Sequence, residues 1–295
     1  MRIVIGIDGS DASLVAHSLV AETPWPRNSL IRLLGVREPG QRAGEVEAML
    51  DRLAEPLRLQ GHLVQVRAEI GLPADQLLAA ARELHADLLV VGSRGRGQAA
   101  SAMLGSVSAW LADHAICPVL VARMPRVERI LLATDGSASA RAIPAILARW
   151  GIFRHAPVDV VSVAHGPELP THGFITPWAV VASDGDGLDD ADVDRHREIA
   201  ESGACELVDG GWRAEPLVRR GDAAHEILEA ARDAGSDMII TGSRGLGDLQ
   251  RLLVGSVAHH VLLHSRCSVL VMRGRVRAEL RQPVPAPSGA VSLAG

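Results

Sequence analysis

The chain repeats itself, and the repeat limits its architecture more than any other feature. IGIDGS (Ile5–Ser10) returns 127 residues later as LATDGS (Leu132–Ser137), and the apolar run ending at Val36 returns at the same spacing in the run ending at Val163. From there the spacing widens to 150. ADLLVVGSRGRG (Ala86–Gly97) matches SDMIITGSRGLG (Ser236–Gly247), MLGSVS (Met103–Ser108) matches LVGSVA (Leu253–Ala258), and CPVLVAR (Cys117–Arg123) matches CSVLVMR (Cys267–Arg273). The second copy therefore holds 23 more residues between its second and third strands, around Thr171–Asp190, which read as a long loop. Duplication of one supersecondary unit predicts two domains of ordinary size, 1–125 and 127–274, the second with an insertion about 167–190. The Pro-, Gly- and Ser-rich stretch 275–295 reads as a flexible tail.

Within each copy, short β-rich runs alternate with helical patterns. The first copy predicts strands near 2–7, 30–36, 62–69, 86–91 and 117–122. Runs such as LLVV and VLVA are apolar at successive positions, so both faces of the strand are buried. That pattern predicts an α/β fold with a parallel sheet between helices. The helical spacing of Leu77, Leu78, Ala81 and Leu84 fits the covering layer.

Composition removes several classes of function. A net charge of −5 gives no basic field for nucleic acid. No run of about 18 apolar residues exists to cross a membrane, and MRIVIGIDGS enters a strand pattern without a leader, so the cytoplasm is the expected location. Three cysteines without a CxxC pair fit a reducing compartment, and Cys117 and Cys267 read as small buried hydrophobes. All 30 basic residues are arginine. Without lysine there is no Walker A loop, no Schiff base and no lysine general base.

The glycine-rich segments carry the chemistry. Gly92 and Gly95 follow a buried strand and permit close approach of a ligand to the main chain. Ten residues after Gly95, Gly105 and Ser106 open a helix, with Ser106 placed as its N-cap and Val107 following. A helix start presents unpaired N–H groups and a positive dipole end, which attract phosphate. Arg94 adds a cation beside it. Asp8-Gly9-Ser10, after Ile7, ends the first strand, and Asp135-Gly136-Ser137, after Thr134, repeats it. In open parallel sheets, ligands bind at the carboxyl ends of strands where the strand order reverses. A carboxylate beside phosphates calls for a divalent cation between them or a hydrogen bond elsewhere.

Gly-x2-Gly-x9-Gly-Ser after a strand, paired with a first-strand Asp-Gly-Ser, resembles the ATP-binding subgroup of the universal stress protein family. Here the motif occurs twice, as Gly92, Gly95, Gly105, Ser106 and as Gly242, Gly245, Gly255, Ser256. The resemblance implies two tandem Rossmann-like domains, each a five-stranded parallel sheet of order 3-2-1-4-5 flanked by helices. It implies ATP as ligand, with Mg2+ or Mn2+ at the phosphates. Adenine would lie near Ile7 or Thr134 and be read by backbone at Val36 or Val163. Phosphates would meet Gly92, Arg94, Gly95, Gly105, Ser106 and Val107, and in the second copy Gly242, Arg244, Gly245, Gly255, Ser256 and Val257. The fifth strands would pair in an intramolecular pseudo-dimer, and further assembly of two tandem chains stays open. The implied role is a stress-response or growth-state regulator whose conformation or assembly follows adenine nucleotide and is read by a protein partner. Two other readings stand beside it: a slow ATP-hydrolysing or nucleotidyl-transfer enzyme centred on Asp8 and Asp135, and an interaction module with degenerate pockets.

Other patterns have plainer readings. Gly95-Arg-Gly97-Gln-Ala-Ala100 fits a dinucleotide fingerprint, but the second copy does not. His114 and His264 read as caps of a helix C-terminus, and His259 and His260 point different ways on a helix. Asp190, Asp192, Asp194 and Glu201 mimic a calcium loop, yet Arg195 stands where glycine is required, and acidic residues at a helix start explain them. Arg213, Arg219 and Arg220 form a basic patch in a chain otherwise unsuited to nucleic acid. Trp25, Trp110, Trp150, Trp178 and Trp212 read as packing or surface contacts.

Overall fold

The computed structural model describes residues 1–37, 43–95, 104–164, 186–243 and 255–273. The first half runs β1 (Arg2–Gly6), α1 (Asp11–Glu22), β2 (Leu30–Arg37), α2 (Ala43–Leu59), β3 (Leu63–Ile70), α3 (Pro73–Glu83), β4 (Leu88–Gly92), α4 (Ser106–His114) and β5 (Val119–Ala122). The second runs β6 (Ile130–Ala133), α5 (Ala138–Arg141), α6 (Ile143–Trp150), β7 (Val158–Ala164), α7 (Asp186–Asp209), β8 (Ala214–Arg220), α8 (Ala223–Ala234), β9 (Met238–Gly242), α9 (Ser256–His264) and β10 (Ser268–Met272).

The ten strands among the described residues join in one sheet, ordered β3-β2-β1-β4-β5-β10-β9-β6-β7-β8. Each half has the expected order 3-2-1-4-5 with parallel neighbours, and the halves meet where β5 and β10 run antiparallel, Leu120 opposite Leu270. That junction turns two apolar edges into interior strands, leaving β3 and β8 as the outer ones. Every residue of β4, β5 and β10 is buried, whereas β3 alternates and exposes Leu63 and Ile70. Side chains alternate between two cores. Ile3, Ile5, Leu88 and Val90 pack with Leu19, Leu50 and Leu57 on one face. Val4, Leu89 and Val91 pack with Leu77, Leu78 and Leu111 on the other. Each core continues across the β5–β10 seam into the second half.

The halves differ locally. The single helix α1 corresponds to two pieces, α5 and α6, with Pro144 in the first turn of α6. Proline has no N–H to extend a preceding helix, so it opens a new one. Asp190, Asp192, Asp194 and Glu201 lie on α7, so they are helical and form no calcium loop. Trp25, Trp150 and Trp212 are core residues, while Trp110 is exposed and stacks on His114. Most of the insertion, Trp178 and the tail fall outside the described residues.

Candidate functional site

In the first half, β1 lies between β2 and β4, so helices leave its two neighbours on opposite faces and a crevice opens at their carboxyl ends. A cavity of about 380 Å³ fills that crevice. It is lined by Ile7, Asp8, Val36, Gly92, Arg94, Gly95, Gly105, Ser106 and Val107, nine of the positions singled out from sequence. The structure therefore brings β1, the end of β2, the loop after β4 and the start of α4 to one place.

Local geometry assigns roles within that group. Asp8 Oδ1 accepts from the N–H of Ser10 (2.9 Å) and its hydroxyl (2.6 Å). Ser10 in turn caps α1, its Oγ accepting from Ser13 N at 3.3 Å. Gly9 permits this tight turn with a φ of 78°. Gly9 and Ser10 thus shape the turn that aims Asp8 and do not line the cavity. The second half repeats the device: Ser137 N donates to Asp135 Oδ1 (3.0 Å), Ser137 caps α5, and Gly136 has a φ of 71°. Gly136 lines a separate cavity of about 270 Å³ between α5–α6 and α7.

The glycines divide into two kinds. A Cβ on Gly92 would come within 2.5 Å of the Ala12 carbonyl group, so this glycine lets α1 sit directly on β4. Gly92 helps line the cavity, yet its smallness serves packing. A Cβ on Gly95 would lie 2.9 Å from Asp8 Oδ2, so there the missing side chain keeps open the space beside a carboxylate. The N-cap of α4 is Gly105, one residue earlier than the sequence suggested, and Ser106 is the first helical residue. Among the described residues, no side chain caps this helix start. Gly105 N donates to Ser93 O at 2.7 Å, and Ser108 Oγ donates to Gly92 O at 2.7 Å, so the start of α4 is tied to the end of β4 and the residue after it. The start of α4 is left facing the cavity with the positive end of its dipole.

A second cavity, about 470 Å³, stands at the matching place in the second half. Thr134, Asp135, Val163, Gly242, Gly255, Ser256 and Val257 line it. Gly255 N donates to Ser243 O at 2.7 Å, as Gly105 does to Ser93, and among the described residues no side chain caps α9. Arg244 and Gly245 lie outside the described residues.

Several lining residues carried no ligand-binding signal in the sequence: Val46, Met49, Leu77 and Arg37 in the first cavity, and Arg195, His196 and Thr241 in the second. They come from helices and strand ends whose periodicity reports burial only. Among the described residues, no cluster of three or more histidines, cysteines or carboxylates suits a metal. His114 Nδ1 donates to the carbonyl of Trp110 (2.9 Å), consistent with a place in the last turn of α4. No helix among the described residues is long and apolar enough to cross a membrane.

The model of the universal stress protein family matches residues 1–123 and again 126–273. Universal stress protein Rv2624c of Mycobacterium tuberculosis is 26% identical over 294 residues, covering 92% of this chain and 96% of that protein. YxiE of Bacillus subtilis, also named a universal stress protein, is 38% identical over 76 residues, covering 26% of this chain and 51% of its own length. Among solved structures, a universal stress protein from Archaeoglobus fulgidus superposes with a TM-score of 0.62 at 20% identity, over 92% of this chain and 98% of that one. Protein PA1789 of Pseudomonas aeruginosa gives 0.65 at 19% identity, over 92% of both chains.

Proposed function

The chain belongs to the universal stress protein family, and from that premise we propose that it is an ATP-binding regulator of stress response or growth state. The observation that carries this reading is the convergence at the switch point of β1 and β4: an uncapped helix start, a glycine without a side chain and one carboxylate share a cavity of about 380 Å³. A volume of a few hundred Å³ suits a nucleotide-sized ligand. Gly95, Ser106 and Val107 offer main-chain N–H groups for phosphate, and Arg94 adds charge. Val36 and the apolar wall of Leu34, Met49 and Leu77 suit a base at the other end.

Asp8 and Asp135 fit a divalent cation. Asp8 Oδ1 is held by Ser10, and Gly95 sets no Cβ against Oδ2. Mg2+ or Mn2+ there would screen the carboxylate from phosphate. The same tether to Ser10 favours a positioning role for Asp8 over that of a general base, and Asp8 is the one carboxylate among the described residues lining the first cavity. Regulation then acts by population shift: nucleotide stabilises the conformation it binds better, and a protein partner in the cytoplasm reads that conformation.

The test is to denature freshly purified protein and identify released nucleotide by mass spectrometry, with Gly105→Glu as a blocked first site. About two ATP per chain, falling to about one in the variant, supports the reading. No released nucleotide, and no thermal stabilisation by added Mg-ATP, defeats it and leaves the glycine loops as turns.

A further inference from the structure

The two cavities differ at the end away from the glycine loops. In the first half, β2 carries Gly35, where a Cβ would come within 2.7 Å of Val46 Cγ1 on α2. The matching positions in the second half are Ser162 on β7 and His196 on α7. Ser162 Oγ and His196 Nδ1 are 2.7 Å apart, and the two residues are 0% and 3% exposed. The exchange is concerted. A serine at position 35 would overlap Val46, and a histidine at 196 facing glycine would leave a buried ring nitrogen without this partner. The other ring nitrogen, Nε2, lies 3.5 Å from Arg195 Nη2 and 3.8 Å from Asp192 Oδ1.

The change alters a wall of the cavity. In the first cavity α2 presents Val46 and Met49; in the second α7 presents His196 and Arg195, close to Val163. The first cavity has its own cation at this end, Arg37 of β2, and the second has Ala164 at the matching place. Each half has thus been given polar chemistry from a different element at the end opposite the anion-binding helix start.

We propose that His196, oriented by Ser162, is a specificity-determining residue that reads the base of a nucleotide in the second cavity through a polar contact. The inference rests on the nucleotide-binding reading above. An apolar wall discriminates weakly between similar ligands, whereas a hydrogen-bonding group set in a buried wall rejects a ligand that cannot pair with it. The second cavity therefore ranks bases by their exocyclic groups through His196, and the first does not use this position.

The experiment is equilibrium binding to the full chain with the first cavity blocked by Gly105→Glu, using ATP, GTP and purine riboside 5′-triphosphate, which lacks exocyclic groups. The second cavity should bind ATP or GTP at least about tenfold more tightly than the stripped analogue. Adding Ser162→Gly with His196→Val recreates the pairing of the first half, and should bring that ratio to within about threefold while binding persists. The reciprocal exchange, Gly35→Ser with Val46→His in a Gly255→Glu background, should strengthen discrimination in the first cavity and does not depend on the first exchange folding. No discrimination in the parent, a ratio unchanged by both exchanges, or an equal loss for all three nucleotides would overturn the proposal, the last marking the pair as a packing element. Failure of every nucleotide to bind either single-site protein overturns the nucleotide reading itself, a result distinct from these.

Discussion

Arg273, just beyond β10, donates from Nη1 to the carbonyl of Ala115 at 3.1 Å, across the boundary between the halves. Its Nη2 also reaches the carbonyl of Ala112, so one guanidinium holds the C-terminal end of α4. Arg123, just beyond β5, mirrors it, donating to Leu262 O in the last turn of α9 (2.6 Å) and to Cys267 O just before β10 (3.4 Å). Each helix that starts at one half's cavity is gripped at its other end by the opposite half. A cation there satisfies late carbonyls and complements the dipole. Burial lowers the Arg123 pKa to about 10, so the charge persists at neutral pH.

Arg123→Met and Arg273→Met should each lower unfolding free energy by about 1–3 kcal/mol, because buried carbonyls lose charged donors. Urea denaturation followed by circular dichroism checks this. A change within error for both would mean that water or neighbouring donors replace the guanidinium at no cost.

Gly92→Ala should destabilise the fold by about 1–3 kcal/mol, since the added methyl would meet the Ala12 backbone rather than a movable side chain. Gly95→Ala should leave stability nearly unchanged and instead crowd Asp8 Oδ2. Thermal melts separate the two, and a Gly92→Ala protein as stable as the parent would refute the packing role.

The thiols should divide by burial. Cys117 is buried and its pKa is pushed up to about 12, and burial also raises that of Cys267. Cys205 is exposed on α7. The thiolate is the reactive form, so a neutral-pH thiol reagent should modify one cysteine per native chain, Cys205, and three after denaturation. Rapid labelling of Cys117 in the native state would contradict the buried placement of the segment before β5.

Acid sensitivity should have a component from Glu83. Arg32, 5% exposed on β2, donates to Glu83 and to Gln65, and this bond and charge hold the Glu83 carboxyl below its ordinary pKa. A depressed carboxylate pKa stabilises the fold above the unfolded-state value, and the contribution is lost as pH falls through the lowered folded value. Glu83 is itself largely exposed, so solvent weakens the effect. The expected outcome is that Glu83→Gln lowers stability at neutral pH and flattens its decline in acid. Denaturation midpoints measured at neutral pH and near pH 3 provide the check.

The sequence by itself determined the duplication, the β/α alternation, the buried parallel strands and the places where each half's glycine loop and Asp-Gly-Ser turn fall. These are local or periodic signals: runs of apolar residues report burial on both faces, and glycine, serine and aspartate report turn and cap chemistry within a few residues. With the family resemblance added, the strand order and the pairing of the fifth strands were also legible. Tertiary structure alone decided the rest. It showed that Gly92 makes room for Ala12, that Gly9 and Ser10 build the turn without lining the cavity, and that Gly105 caps α4. It joined Ser162 to His196 across 34 residues and Arg273 to Ala115 across 158. Such pairs depend on how helices seat on the sheet. Apolar periodicity fixes which face a helix turns inward, but the neighbour each side chain meets is set by the close packing of the whole core.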